Sequence, residues 1–332
     1  MAKTRKVSGS GQIFCLLALS QCFWLLCYRP RMTNALLTAA AATIVSGAVF
    51  LLAVFCRRRA AKCLPAGPVS GAAGAILGIC YFSVTAMQLL AAVRVIFEEL
   101  FRPVWLLLIL FVVVMASAAM GQEALGRAAF IVTALFLAGV VLLAAGAAGQ
   151  CSLLNLELPE RHREMLPGEI LYLLPMQAEL LLLTGFAPLT NRPSSAKLLL
   201  WIPFGWLINV VILLLVALVL GPYGGLQSYP VYELSRAAGL SALSGLMPVY
   251  CFLLLTSAFF RLSALAVMSV RLAQDVIGRL QPAFWSVAAL CLGGVFLLYF
   301  TGWEPAGVYS VLAAPSLAWL LWRILRGGKK RA

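Results

Sequence analysis

The chain has 332 residues, of which 63% are hydrophobic and only 11% charged, with a mean hydropathy of +1.00. That balance excludes a soluble domain of this size and requires a bilayer as solvent. The formal net charge of +14 does not mark a nucleic-acid binder, because the basic residues flank apolar runs instead of forming a surface of their own.

A bilayer span needs about 20 apolar residues. By that measure the sequence contains about ten spans, at roughly 11–28, 33–56, 70–96, 103–121, 128–149, 169–189, 198–220, 240–270, 283–301 and 306–325. Each is expected to be helical, since backbone groups in lipid must be satisfied within their own segment. The first, GQIFCLLALSQCFWLLCY, has no Gly or Pro beyond Gly11, and Ser20 and Gln21 are its mid-span polar residues. Its basic start is like that of a secretory signal, but no small-x-small cleavage site follows, so it reads as a retained helix. In the third span Gly71, Gly74 and Gly78 form a close-packing stripe rather than a nucleotide loop. Arg94, Glu98, Glu99 and Arg102 at its end form a solvated interface or a partner contact. Gly121, Glu123 and Arg127 mark the turn into the fifth span, with the last two spaced for an i,i+4 pair.

The longest polar connection, Gly149 to Gly168, carries Glu157, Glu160, Arg161, Arg163 and Glu164 as a solvated surface. The sixth span, LYLLPMQAELLLLTGFAPL, has Glu179 at its centre with Pro175 and Gly185 on either side, the signature of a discontinuous helix. Arg261 sits in the middle of the eighth, LMPVYCFLLLTSAFFRLSALAVMSV. Glu179 and Arg261 read as the only two charges deep inside spans. A charge at the bilayer centre costs a few kcal/mol or more, so it faces a partner, a cavity or a pathway. The two can pair with each other, or take a ligand's ammonium and carboxylate. The candidate ligand or ion pathway is Glu179, Arg261, Pro175, Gly185, Ser20 and Gln21. Gln21, outside that pathway role, and Gln88 and Asn209 are expected to bond between helices.

Most Lys and Arg, among them Lys3, Arg5, Arg57, Arg58, Arg59, Arg127, Arg271 and the run Lys329, Lys330 and Arg331, fall on one side of the membrane. The positive-inside rule therefore puts both termini in the cytoplasm. The nine cysteines form no C-x-x-C pair and His162 is the only histidine, so neither a metal site nor a cofactor is expected. No nucleophile–base set is visible, so an enzyme is not expected. The fold class is an all-α polytopic membrane protein with one integral membrane domain over 1–332. Its first half is about 1–149, an external loop 150–168, and its second half about 169–332, in the 5+5 pattern of inverted-repeat transporters.

Several local patterns resemble the spore germination permease family, the B subunit of nutrient germinant receptors, within the amino acid–polyamine–organocation transporter superfamily. They are KVSGSGQIF before the first span, AAVRVIFEELF with RPVW around Arg94 and Glu98, and GQEALGR with Glu123 and Arg127. Glu179 at mid-helix, YPVYELSRAAG from Tyr229 to Gly239, Arg261 where the family usually has Lys, and RLAQDVIG from Arg271 to Gly278 continue the match. The resemblance covers nearly the whole chain, best from about Arg94 to Gly278. It implies a transporter-like subunit of the spore inner membrane that senses a nutrient such as an amino acid. Its partners would be an A-type membrane subunit and a C-type lipoprotein. The chain departs from the family in the first helix, where Phe23 and Leu25 occupy a small-residue G-x-G break and should keep the helix wound. It also lacks an acidic residue near Met247 and Pro248. The competing readings are a secondary active amino acid/cation transporter of the cytoplasmic membrane and a membrane scaffold without ligand.

Overall fold

A computed structural model describes residues 9–29, 34–60, 68–96, 103–156, 164, 166–174, 178–186, 196–240 and 243–327. Its helices are α1 (Ser10–Leu26), α2 (Ala35–Ala60), α3 (Pro68–Ile96), α4 (Pro103–Met120), α5 (Gln122–Ala148), α6 (Leu166–Leu173), α7 (Glu179–Phe186), α8 (Trp201–Leu220), α9 (Tyr223–Leu226), α10 (Pro230–Ala237), α11 (Met247–Ile277), α12 (Leu280–Thr301) and α13 (Pro305–Gly327). The α10–α11 connection adds a short antiparallel pairing in which Gly239 faces Ser244 and Leu240 faces Leu243. Six of these helices (α2, α3, α5, α8, α11 and α12) are long and apolar enough to cross a membrane, and α1, α4 and α13 are shorter apolar helices. The sixth span contains α6 and α7. The protein is thus an all-α polytopic membrane protein of ten spans arranged five and five.

Equivalent elements lie five spans apart in the chain, an odd offset, so the two halves cross in opposite senses. The first span of each half (α1; α6 with α7) and the third span of each half (α3; α11) meet at the centre. There α1 packs on α11 and α3 packs on α11, with α7 touching both α1 and α11. The spans α12 and α13 lie against α3, while α2 and α8 cover the other flank. Outward faces carry Ile109, Val112, Phe130, Ile131, Leu297 and Phe300, all exposed, as lipid requires.

The glycine stripe behaves as expected. A Cβ at Gly78 would overlap Ser269 and Met268 of α11, and one at Gly74 would overlap Leu272 and the Trp319 ring of α13. Small residues therefore bring the two third spans together, and packing contact replaces the hydrophobic drive that lipid does not supply.

Three boundaries differ from the sequence expectation. The fifth helix starts at Gln122 rather than 128, directly after Gly121, whose φ of 90° turns the chain with no intervening loop. Glu123 and Arg127 thus lie in its first two turns and pair with each other on the surface. The eighth span is α11, Met247–Ile277, shifted toward the C-terminus from 240–270. Pro248 sits in its first turn, where a missing N–H costs nothing, and Gly278 closes it in the left-handed conformation with φ 77°. In the sixth span α6 ends at Leu173 and α7 begins at Glu179, so Glu179 lies in the first turn of α7. Gly185 is within α7, packed on Met268.

Overpacking of this kind costs about 1–3 kcal/mol. Gly78→Val should therefore lower the unfolding temperature of the purified protein in detergent by several degrees. Gly47→Val, at a position with nothing within 4 Å, should leave it unchanged.

Candidate functional site

Glu179 lies in the first turn of α7, where a carboxylate is favoured by the positive end of the helix dipole. Its side chain reaches the centre of the bundle and is fully buried. Arg261 Nη1 donates to Glu179 Oε1 at 2.9 Å, and the Ser20 hydroxyl donates to the same oxygen at 2.7 Å. Arg261 Nη1 also lies 3.4 Å from the Ser20 carbonyl oxygen. Three spans are therefore tied at one carboxylate oxygen. Glu179 Oε2 has no hydrogen-bond partner among the described residues.

The Phe23 ring closes the arrangement. The Arg261 guanidinium sits over it at 5.5 Å, and Phe23 is wholly buried. A cation over an aromatic face is worth about 2 kcal/mol when water is excluded. The helix α1 runs unbroken through Phe23 and Leu25, as their bulk led us to expect. Phe23 does more than keep α1 wound, since it supplies the floor on which the buried cation rests.

On its other side the guanidinium meets the Tyr309 hydroxyl of α13. Tyr309 and Thr85 of α3 lie within hydrogen-bond distance at 3.1 Å, and the Tyr309 ring is 5.9 Å from that of Tyr81, whose hydroxyl accepts from Ser316. The polar centre thus extends from α1 and α7 through α11 to α13 and α3.

Beside Tyr309 a cavity lies at the C-terminal end of α1. It is lined by Cys27, Arg29, Gln88, Tyr172, Tyr229 and Glu304, with Tyr309 as its floor. It holds about 460 Å³, counting the part open to the surroundings. Arg29 and Glu304 are exposed on its rim, and among the described residues they form no ion pair with each other. Gln88 donates to the Cys27 carbonyl at 3.3 Å, as expected of an interhelical bond. Burial pushes the Tyr229 phenol upward, so it lines the cavity as a neutral donor.

The remaining candidates separate. Gln21 is one residue from Ser20 but points to α8, where a Cβ at Gly205 would overlap its Oε1. Gln21 Oε1 and Asn209 Oδ1 are buried without a hydrogen-bond partner among the described residues, so neither carbonyl makes the expected interhelical bond. Gly185 does not touch the ion pair. Pro175 and Glu98 lie outside the described residues. Arg94 bonds Tyr299 of α12 at 3.1 Å.

A third charge was missed. Glu169, in the first turn of α6, is 1% exposed and accepts from the Tyr28 hydroxyl, which also lies 3.2 Å from that of Thr38. Glu179 and Arg261 are therefore not the only buried charges. The residue sits beside Gly168 at the edge of its span, so sequence alone places it in the headgroup region.

No family profile matches the chain, and no curated protein sequence matches it. Among solved structures it is similar to Mhp1, a nucleobase-cation-symport-1 family transporter, in a closed conformation with bromovinylhydantoin bound. The likeness has a TM-score of 0.57 at 13% identity, over 96% of this chain and 78% of that one. At that identity what is shared is the fold, a membrane transporter fold.

Removing one member of a buried ion pair leaves an uncompensated charge and costs about 3–5 kcal/mol. Glu179→Leu and Arg261→Met should each lower the unfolding midpoint in detergent strongly. The double variant should be more stable than either single one. Additive losses in a double-mutant cycle would show that the two groups do not act as a unit.

Proposed function

We propose that this transporter-like membrane protein is the nutrient-sensing B-type subunit of a spore germinant receptor. It would sit in the spore inner membrane with both termini in the cytoplasm. The observation that carries the proposal is the closed Ser20–Glu179–Arg261 junction, which ties the first span of each half to α11 beside a cavity. The sequence patterns from Arg94 to Gly278 support the family, and the transporter fold agrees with it. The cavity suits an amino acid. Arg29 offers donors to a carboxylate and Glu304 accepts from an ammonium, one charge of each sign at one rim.

In this reading a bound ligand changes the fit of Tyr309, and through it of Arg261, so that the state with the junction closed and the state with it open differ in ligand affinity. Only such differential affinity can move the equilibrium. The change passes to an A-type membrane subunit and a C-type lipoprotein. The unbroken α1 favours sensing over transport, because no backbone is unwound there to hold a substrate.

The second reading is a secondary active amino acid/cation transporter. It is favoured by the likeness to a cation symporter and by Glu179 Oε2, a buried carboxylate oxygen open to a cation or proton.

The test begins with a tagged chain recovered from spore membranes. Co-recovery of a larger membrane subunit and a lipoprotein supports the receptor. Recovery of the chain alone from vegetative membrane, with amino acid uptake in vesicles, establishes the transporter instead. Losing one charge-assisted hydrogen bond costs about 1.5–3 kcal/mol. Arg29→Gln or Glu304→Gln should therefore raise the nutrient concentration for half-maximal germination at least about tenfold, with protein level unchanged.

A further inference from the structure

A second cleft lies on the lipid side of α11, away from the ion pair. Its walls include Phe82, Ala86 and Leu90 of α3, Leu108 and Phe111 of α4, Leu262 of α11 and Tyr299 of α12. It measures about 580 Å³, counting the part open to the surroundings. Phe82 and Phe111 meet edge to face at 6.1 Å and form its inner end. The stripe Phe82, Ala86, Leu90 has helical spacing, and its next member is Arg94. Along α12 the lining ends at Tyr299, and there Arg94 Nη2 bonds the Tyr299 hydroxyl with the guanidinium 5.3 Å from the ring centre. The cleft is therefore apolar along its length and cationic at its mouth.

We propose that this cleft holds one acyl chain of a single phospholipid whose headgroup phosphate is bound by Arg94. Three observations select this occupant. The neighbouring outward residues Trp105, Ile109, Phe296 and Phe300 are exposed in the lipid-facing surface, so the cleft opens into the bilayer rather than into water. From Phe82 to Arg94 the cleft follows α3 for about 18 Å at 1.5 Å per residue. That is close to one leaflet of a hydrocarbon core about 30 Å thick. Finally, Arg94 is exposed, and among the described residues no carboxylate pairs with it. Its guanidinium has five donors in a fork that suits phosphate, and Tyr299 fixes its direction while using one of them.

The site also has a place in the machinery. Leu262 forms the inner wall, and Arg261, the preceding residue, reaches Glu179 on another face of α11. A single helix thus separates the lipid chain from the buried ion pair, and filling the cleft supports α11 where the ion pair holds it.

The experiment is native mass spectrometry of the full chain purified in delipidating detergent, with bound lipid extracted and identified. Wild type should retain one phospholipid per chain. Arg94→Gln removes the phosphate contact, and Leu108→Trp fills the cleft from its half-buried wall. Each should reduce retained phospholipid at least about tenfold while elution on gel filtration is unchanged. Val141→Trp, on the exposed face of α5, should retain as much as wild type. The proposal is overturned if wild type keeps no phospholipid or keeps a free fatty acid instead. It is also overturned if Arg94→Gln retains as much as wild type. A lipid-free dimer that Leu108→Trp disrupts would assign the cleft to a second copy and overturn it as well.

Discussion

A carboxylate and a guanidinium, both without solvent exposure, share one oxygen–nitrogen contact at the centre of a hydrocarbon-embedded bundle. In such a medium neither group is tolerable alone, and their attraction only offsets the loss of water when geometry and extra hydrogen bonds are good. The structure meets that condition from several sides. Ser20 adds a second donor to Glu179, Phe23 lies beneath the cation, and Tyr309 meets it from above. Each of these comes from a different span or turn, so satisfying the charges fixes the relative positions of α1, α7, α11 and α13. A wholly apolar centre of equal volume would hold the helices together but would allow them more registers.

Around this junction the rest of the packing divides into a tight seam and looser flanks. The seam is α3 against α11, where glycines on one helix accept side chains from the other. The flanks, α12 above all, turn most of their surface to lipid. The two cavities follow the same division. One lies between α1, α3 and α13 and is polar at its rim. The other lies between α3, α4, α11 and α12 and is apolar to its mouth. Both abut α3, and they approach α11 from opposite environments.

Much of this was legible in the chain. Hydropathy alone separated ten spans, because lipid admits few alternatives for an apolar run of that length. The two mid-span charges were visible for the same reason, and their meeting confirms the structural half of that expectation. Ser20 was found as a polar residue in an otherwise apolar run. The bulky Phe23 was noticed as a departure, but its contact with a guanidinium on a distant helix could not be read from local pattern. Glu169 escaped because a carboxylate at a span edge looks solvated until Tyr28 and Thr38 are folded over it. Arg29 and Glu304 belong to opposite ends of the chain and line one cavity only through the fold. The start of α11 was misplaced because Leu243 and Ser244, before Met247, pair with Leu240 and Gly239 instead of joining the helix.

The order of synthesis gives the central ion pair a history. Glu179 is made 82 residues before Arg261. At about 5–20 residues per second that interval is roughly 4–16 s. During it the sixth span must leave the translocation channel with its carboxylate and no cation. Ser20 is already in place, 159 residues upstream, and can receive it as a hydrogen-bond donor. Insertion of the second half thus depends on a completed first span, and a chain stalled before Arg261 would expose a buried acid to membrane quality control.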